Sequence, residues 1–238
     1  MRVRILGAGM GPQHLTCEVV EALRTVDYII AADKGSGDRL LAVRQAIAVE
    51  HGLEVIPVPD PPRDRNDPAD YPGAVNAWHE ARVRAYEQVL RERGGTAAFL
   101  VWGDPAFYDS TIRIVEQLAT RLPIEYDVLP GISAPQLLAA RHRVVLHSVG
   151  QPVHLTTSRG LREAVAAGQT NLVVLLNRVI DLAGLEDWSI WWGANLATDS
   201  EELVAGRVGD VLDEVHAARD RAQQTAGWVM DIYLLRAP

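Results

Sequence analysis

Residues Gly7 to Thr16 read GAGMGPQHLT and follow the short apolar run RVRIL. Whether these glycines cradle a nucleotide phosphate decides how the chain is read. A dinucleotide-binding turn needs Gly-x-Gly-x-x-Gly behind a strand. Its last glycine lets the helix pack closely, and the helix N-terminus faces the pyrophosphate. The spacing here is Gly-x-Gly-x-Gly-Pro, with Pro12 in the place of the last glycine and Gly11 one residue early. Asp33, at the end of the buried-looking run DYIIAAD, stands where a ribose-binding acid would. A dinucleotide-dependent oxidoreductase using Gly7, Gly9 and Asp33 is therefore the alternative from a different class, although the motif fails where helix must meet strand.

Outward from this loop, residues 3 to 8 predict a strand, Leu15 to Val26 a helix with Leu15, Val19, Val20 and Leu23 on one face, and YIIAAD a second strand. A helix over Asp38 to Glu50, a strand EVIPV, an amphipathic helix from Ala74 to Arg93 and a buried strand in TAAFLVWGDP continue the alternation. This is the pattern of an α/β domain, a mostly parallel sheet with crossover helices. The stretch PVPDPPRDRNDPADYPG reads as a surface connector or as a mobile loop near a site. Beyond YDVLPGIS the pieces VHLTTS, NLVVLLN, WSIWWGANLA and WVMDIYLLR are separated by few helical stretches, notably Arg207 to Gln224, which predicts a second, α+β domain. The expected division is 1–128 and 129–238.

The 238 residues and 48% hydrophobic content suffice for one or two buried cores. A formal net charge of -8 argues against broad nucleic-acid or anionic-membrane binding, so an anionic small substrate needs a local basic pocket. The single Cys17 cannot form an internal disulfide, and neither C-x-x-C nor H-E-x-x-H occurs, so no metal site is expected. No run approaches a signal-peptide core or a membrane span, and the composition is that of a cytoplasmic protein.

Three loops follow strands of the first domain: Gly7 to Pro12, WGDPAFYDST (Trp102 to Thr111) and LPGISAPQ (Leu129 to Gln136). In an open α/β sheet the carboxyl ends of the strands form the ligand crevice, so all three should converge there. Prolines 12, 105 and 130 stiffen the loops but remove N–H donors, which makes a poor phosphate nest and favours a bulky ligand held without a diphosphate.

In their order, GAGMGPQHLT, GDPAFYDST and LPGIS, with an α+β domain behind them, resemble the tetrapyrrole methylases. The first motif departs from that family's usual G-x-G-P-G-D/N-x-x-L-L-T: Gly11-Pro12 is followed by Gln13 and His14. With VNAWHEA, IWWGA and GWVMDIYLLR, this departure resembles the branch that methylates precorrin-5 and releases its acetyl group as acetate, giving precorrin-6A. The resemblance runs over essentially the whole chain. It implies a C-methyltransferase of cobalamin biosynthesis that uses S-adenosylmethionine (SAM). The glycines of GAGMGP would then floor a cleft between the domains where methyl donor and tetrapyrrole meet, with no phosphate bound. The same fold acting at another ring carbon, or holding a tetrapyrrole without chemistry, are the alternatives.

The resemblance implies donor contacts at Gly9, Pro12, Gly103, Asp104, Ser133 and Ala134, and from the second domain at Leu176, Asn177 and Ala194. Asp104 stands open as a ligand acceptor or as the acid of an Asx-turn, and Ser133 as ligand contact or helix cap. Methyl transfer to carbon asks chiefly for in-line positioning. Deacetylation asks for a base and an oxyanion donor, for which Asp104 and Tyr108 are the candidate catalytic residues, with Asp109 and His79 nearby in the motifs. Lys34, Arg63, Arg113 and Arg159 are candidates for the substrate's carboxylates. At most one of Trp191 and Trp192 would be available to stack on the macrocycle, because alternate strand residues face opposite sides. The implied partners are the tetrapyrrole and, as an expectation, a second copy in a homodimer; nucleic acid and membrane are not expected.

Overall fold

The computed structural model describes residues 1–35, 38–62 and 71–238. Its contacts divide the chain into two compact units, Met1–Ser133 and Ala134–Pro238, so the division follows Ser133 where the sequence reading placed it after residue 128. Arg63, one of the expected substrate contacts, lies outside the described residues.

In the first unit, β1 (Arg2–Gly7), β2 (Tyr28–Asp33), β3 (Glu54–Pro59), β4 (Thr96–Val101) and β5 (Glu125–Leu129) form a five-stranded sheet in the order β3-β2-β4-β1-β5. Every pair is parallel. Helices α1 (Cys17–Leu23), α2 (Arg39–Glu50), α3 (Tyr71–Arg93) and α4 (Thr111–Ala119) cover both faces. Leu6, Ile29, Ala98 and Leu100 meet α1 and α2 through Val19, Leu23 and Ile47. Val3, Ile5, Ile30 and Phe99 meet α3 and α4 through Val83, Leu90, Ile114 and Leu118. Burial on both faces is why these strands read as unbroken apolar runs in the sequence.

The expected helix from Leu15 to Val26 is shorter. Pro12–His14 forms a separate turn of 3-10 helix, and Thr16 caps α1 by accepting the Val19 amide at 3.2 Å, so Leu15 stands before the helix.

In the second unit, α5 (Ala134–His142) leads to β6 (His154–Thr157), α6 (Leu161–Ala166), β7 (Asn171–Leu175), β8 (Ser189–Ala194), β9 (Glu202–Arg207), α7 (Val208–Ala226) and β10 (Asp231–Arg236). The sheet order is β6-β7-β10-β8-β9, with β6 and β7 parallel and the other pairs antiparallel. Strand β9 and helix α6 were not anticipated. ELVAGR has no clean alternation and becomes a strand through its ladder with β8, so tertiary pairing supplies what the local sequence lacks. Trp192, Tyr233, Val174 and Val215 lie at the centre of the core.

Candidate active site

Because β4, β1 and β5 are neighbours and parallel, the three Gly/Pro loops leave the sheet at one edge. Main chain joins them. The Ala8 amide donates to the Val101 carbonyl at 2.8 Å, and Gly9 and Gly103 exchange two backbone hydrogen bonds of 3.1 and 2.7 Å. A Cβ on Gly131 would land on the Gly103 carbonyl oxygen and lie 2.8 Å from the Gly7 carbonyl carbon, so three loop backbones touch where no side chain fits.

Asp104 crosses the same space. Its Oδ1 accepts the Ala106 amide at 2.8 Å, closing an Asx-turn, and its Oδ2 accepts the Gly131 amide at 2.9 Å. The carboxylate thus fastens the second loop to the third, while each oxygen keeps a further lone pair for a ligand donor. Asp109, one residue before the Ser110 N-cap of α4, accepts the Thr111 amide at 2.6 Å. Between them Tyr108 is 48% exposed and holds φ at 52°, a left-handed conformation that costs an aromatic residue energy and is common at working sites. Gly9 has φ +61°, and a Cβ there would come within 2.5 Å of the His14 Cβ, so glycine is required by the loop itself. Pro12 opens the 3-10 turn in an exposed position, Ser133 is buried, and Ala134 starts α5.

The three residues expected from the second unit form their own group. Asp231 pairs in register with Ala194, and its carbonyl accepts Asn177 Nδ2 at 3.0 Å, so Asn177 and Ala194 flank one residue of β10. Leu176, at the end of β7, has φ 56° and is 63% exposed. That turn is held from below. Ser158 Oγ donates to the Leu176 carbonyl at 3.2 Å, and Arg219 Nη2 donates to the Asn177 carbonyl at 3.1 Å. Arg219 is fixed in turn by Asp231, whose Oδ2 accepts Arg219 Nε at 2.9 Å and Trp192 Nε1 at 3.3 Å. Burial pushes the Asp231 carboxyl above the usual carboxylate range against the opposing pull of Arg219, and burial likewise pushes the Tyr233 phenol up. Sequence reasoning missed Asp231 and Arg219. The available signal was a carboxylate inside the apolar strand WVMDIYLLR, which needs a partner when buried.

The basic candidates are dispersed. Lys34, Arg113 and Arg159 are exposed, and Arg113 Nη2 donates to the Asp109 carbonyl at 3.2 Å. Trp192 is fully buried, whereas Trp191 is partly exposed beneath Arg236, whose guanidinium carbon lies 5.2 Å from its ring centre. His79 lies against Trp78, ring centres 5.1 Å apart. Asp33 accepts the Gly35 amide at 2.8 Å within its own loop.

Residues 2–212 match the family model of the Tetrapyrrole (Corrin/Porphyrin) Methylases. The chain is 40% identical to a "Precorrin-6A synthase [deacetylating]" of Sinorhizobium sp, covering 99% of this chain and 95% of that protein. A cobalamin-synthesis-related protein (CobF) of Corynebacterium diphtheriae superposes with TM-score 0.85 and 35% identity, covering 99% of this chain and 98% of that one. The uroporphyrin-III C-methyltransferase of Thermus thermophilus, in complex with S-adenosylhomocysteine (SAH), shares the fold at TM-score 0.61 and 19% identity, covering 99% and 97%. The chain belongs to the tetrapyrrole methylase family. It is a methyltransferase.

Proposed function

We propose that the chain transfers the methyl group of SAM to a ring carbon of precorrin-5 and releases the ring's acetyl group as acetate, giving precorrin-6A. The observation that carries this reading is the end-to-end relation, at 40% identity, to a relative of that name. The residues present suit such a donor. Asp104 has acceptor capacity left on both oxygens, the Leu176–Asn177 backbone is presented at a strand end, and a neighbour of the same fold is complexed with SAH.

SAM supplies an electrophilic methyl group whose bonding electrons leave with sulfur as the new carbon–carbon bond forms. Gly9, Pro12, Gly103, Ser133 and Ala134 shape the surface against which the donor lies, and Asp104 orients it by accepting hydrogen bonds. Leu176, Asn177 and Ala194 offer main chain to its adenine. Lys34, Arg113 and Arg159 meet carboxylates at the rim of the substrate. Acetate release needs water to add to the acetyl carbonyl, with its proton taken by a base, after which the bond between ring carbon and acetyl carbon breaks and its electron pair passes into the conjugated ring. Asp104 and Tyr108 are the candidates for the base and for the donor to the developing oxyanion.

Incubation of the purified protein with precorrin-5 and SAM tests this, with mass spectrometry of the ring and an enzymatic assay of acetate. Equal yields of methylated ring and acetate are expected. Methylation without acetate would assign another ring carbon, and no methylation would overturn the reading.

A further inference from the structure

The sheet of the first unit opens between β2 and β4. Their pairing stops at Ile29↔Ala98, although β2 runs on to Asp33 and β4 to Val101. The chain leaves β2 for α2 on one face and leaves β4 for α4 on the other, so this gap is a topological switch point, the place where open α/β sheets form a ligand crevice. Carbonyls alternate in direction along a strand. Val101 turns its carbonyl to Ala8 on the β1 side, so Leu100 turns its own towards β2, where no strand amide meets it.

Arg44 of α2 enters that gap. Its Nε donates to the Leu100 carbonyl at 2.8 Å. Among the described residues its two terminal nitrogens donate no hydrogen bond and the side chain forms no ion pair. The neighbouring Arg82, by contrast, is bound to Asp60 at 2.6 Å. The charged and titratable groups facing Arg44 are Asp38 from its own helix, Asp109 from the loop before α4, and Tyr86 and Arg82 from α3. Asp38 is engaged with the Leu41 and Lys34 amides, and Asp109 with the Thr111 amide. Burial lowers the arginine's pKa from its ordinary value, the mark of a guanidinium with little solvent around it. A half-buried cation whose terminal nitrogens are hydrogen-bonded to no anion among the described residues is an arrangement ready for a ligand anion.

We propose that the gap between the carboxyl ends of β2 and β4 is a carboxylate subsite, in which the terminal nitrogens of Arg44 hold one acidic side arm of the tetrapyrrole. Leu100 fixes the guanidinium through Nε, which leaves the fork pre-aligned for bidentate binding. The proposal rests on reading the chain as a precorrin methyltransferase. Inactivity of the wild type on precorrin-5 would dispose of that reading before any variant is made.

Two measurements test the subsite. In Arg44→Gln the amide still reaches the Leu100 carbonyl while the charge is gone. KM for precorrin-5 is expected to rise about 10- to 100-fold, the range for one lost charge-assisted pair, with kcat, SAH affinity and Tm close to wild type. An unchanged KM overturns the proposal, whether or not Tm falls. On the wild type, phenylglyoxal labelling of Arg44, read by peptide mass spectrometry, should be suppressed by precorrin-5 and not by SAH. Equal labelling with and without precorrin-5 overturns it independently, even if the variant fails to fold.

Discussion

The two groups of candidate donor contacts are held in place by opposite means. In the first unit, backbone hydrogen bonds between Gly9 and Gly103 and the close approach of Gly7, Gly103 and Gly131 join the loops, and the Asp104 side chain ties two of them. In the second, the turn at Leu176 and Asn177 is secured by a buried ion pair between Asp231 and Arg219. The backbone contacts of the first clasp have no titratable part and fail by steric intrusion. A clasp built on buried charges fails when a partner or a proton is changed.

The hardest test of the first clasp is Gly131→Val. A Cβ there meets backbone of two other loops, so the loops must part, and the expected loss is about 3 kcal/mol or more, the upper end for overpacking. Thermal unfolding should show it together with loss of SAH binding. A stable variant that binds SAH normally would mean that the loops do not need their close contact.

Arg219→Leu attacks the second clasp by leaving Asp231 buried without its cation. The expected cost is about 2 to 3 kcal/mol, below the range for a fully buried pair because the arginine keeps 24% exposure. Asp231→Asn sharpens the contrast through pH. Since the folded carboxyl titrates above its ordinary 3.8, its stabilising effect is complete below that value and fades as pH rises through the raised one. Wild type measured against Asp231→Asn should therefore lose relative stability with rising pH. A difference independent of pH would remove the charged role, and Gly131 variants should show no comparable dependence.

Asp104→Asn asks whether the carboxylate of the first clasp also serves the ligand. SAH binding should weaken by about 1 to 3 kcal/mol, as for a lost charged hydrogen bond. Methyl transfer and acetate release should fall together, whereas loss of acetate release alone would make Asp104 the base. A lower Tm with unchanged SAH affinity would leave it only its bonds to Ala106 and Gly131. The smallest effect is expected at Tyr108, where Tyr108→Gly relieves a left-handed backbone and should raise stability by about 1 kcal/mol while turnover falls. Loss of stability would show that the ring packs against its surroundings.

The sequence by itself determined the class of fold and the residues of the loop clasp. Apolar runs such as YIIAAD and TAAFLV announce strands buried on both faces, and Pro12 in GAGMGP argues against the dinucleotide turn by its place in the spacing. Both signals are local, a matter of residue type and interval, and so they survive in one dimension. The tertiary structure alone decided that Asp104 spends both oxygens on loop amides, that β9 forms from an irregular segment, and that Asp231 and Arg219 meet beneath Asn177. It also decided that Arg44 stands in the opening between β2 and β4. Arg44 and Leu100, or Asn177 and Asp231, are more than fifty residues apart along the chain. No periodicity encodes such a meeting, because it follows from strand order and from where two strands cease to pair.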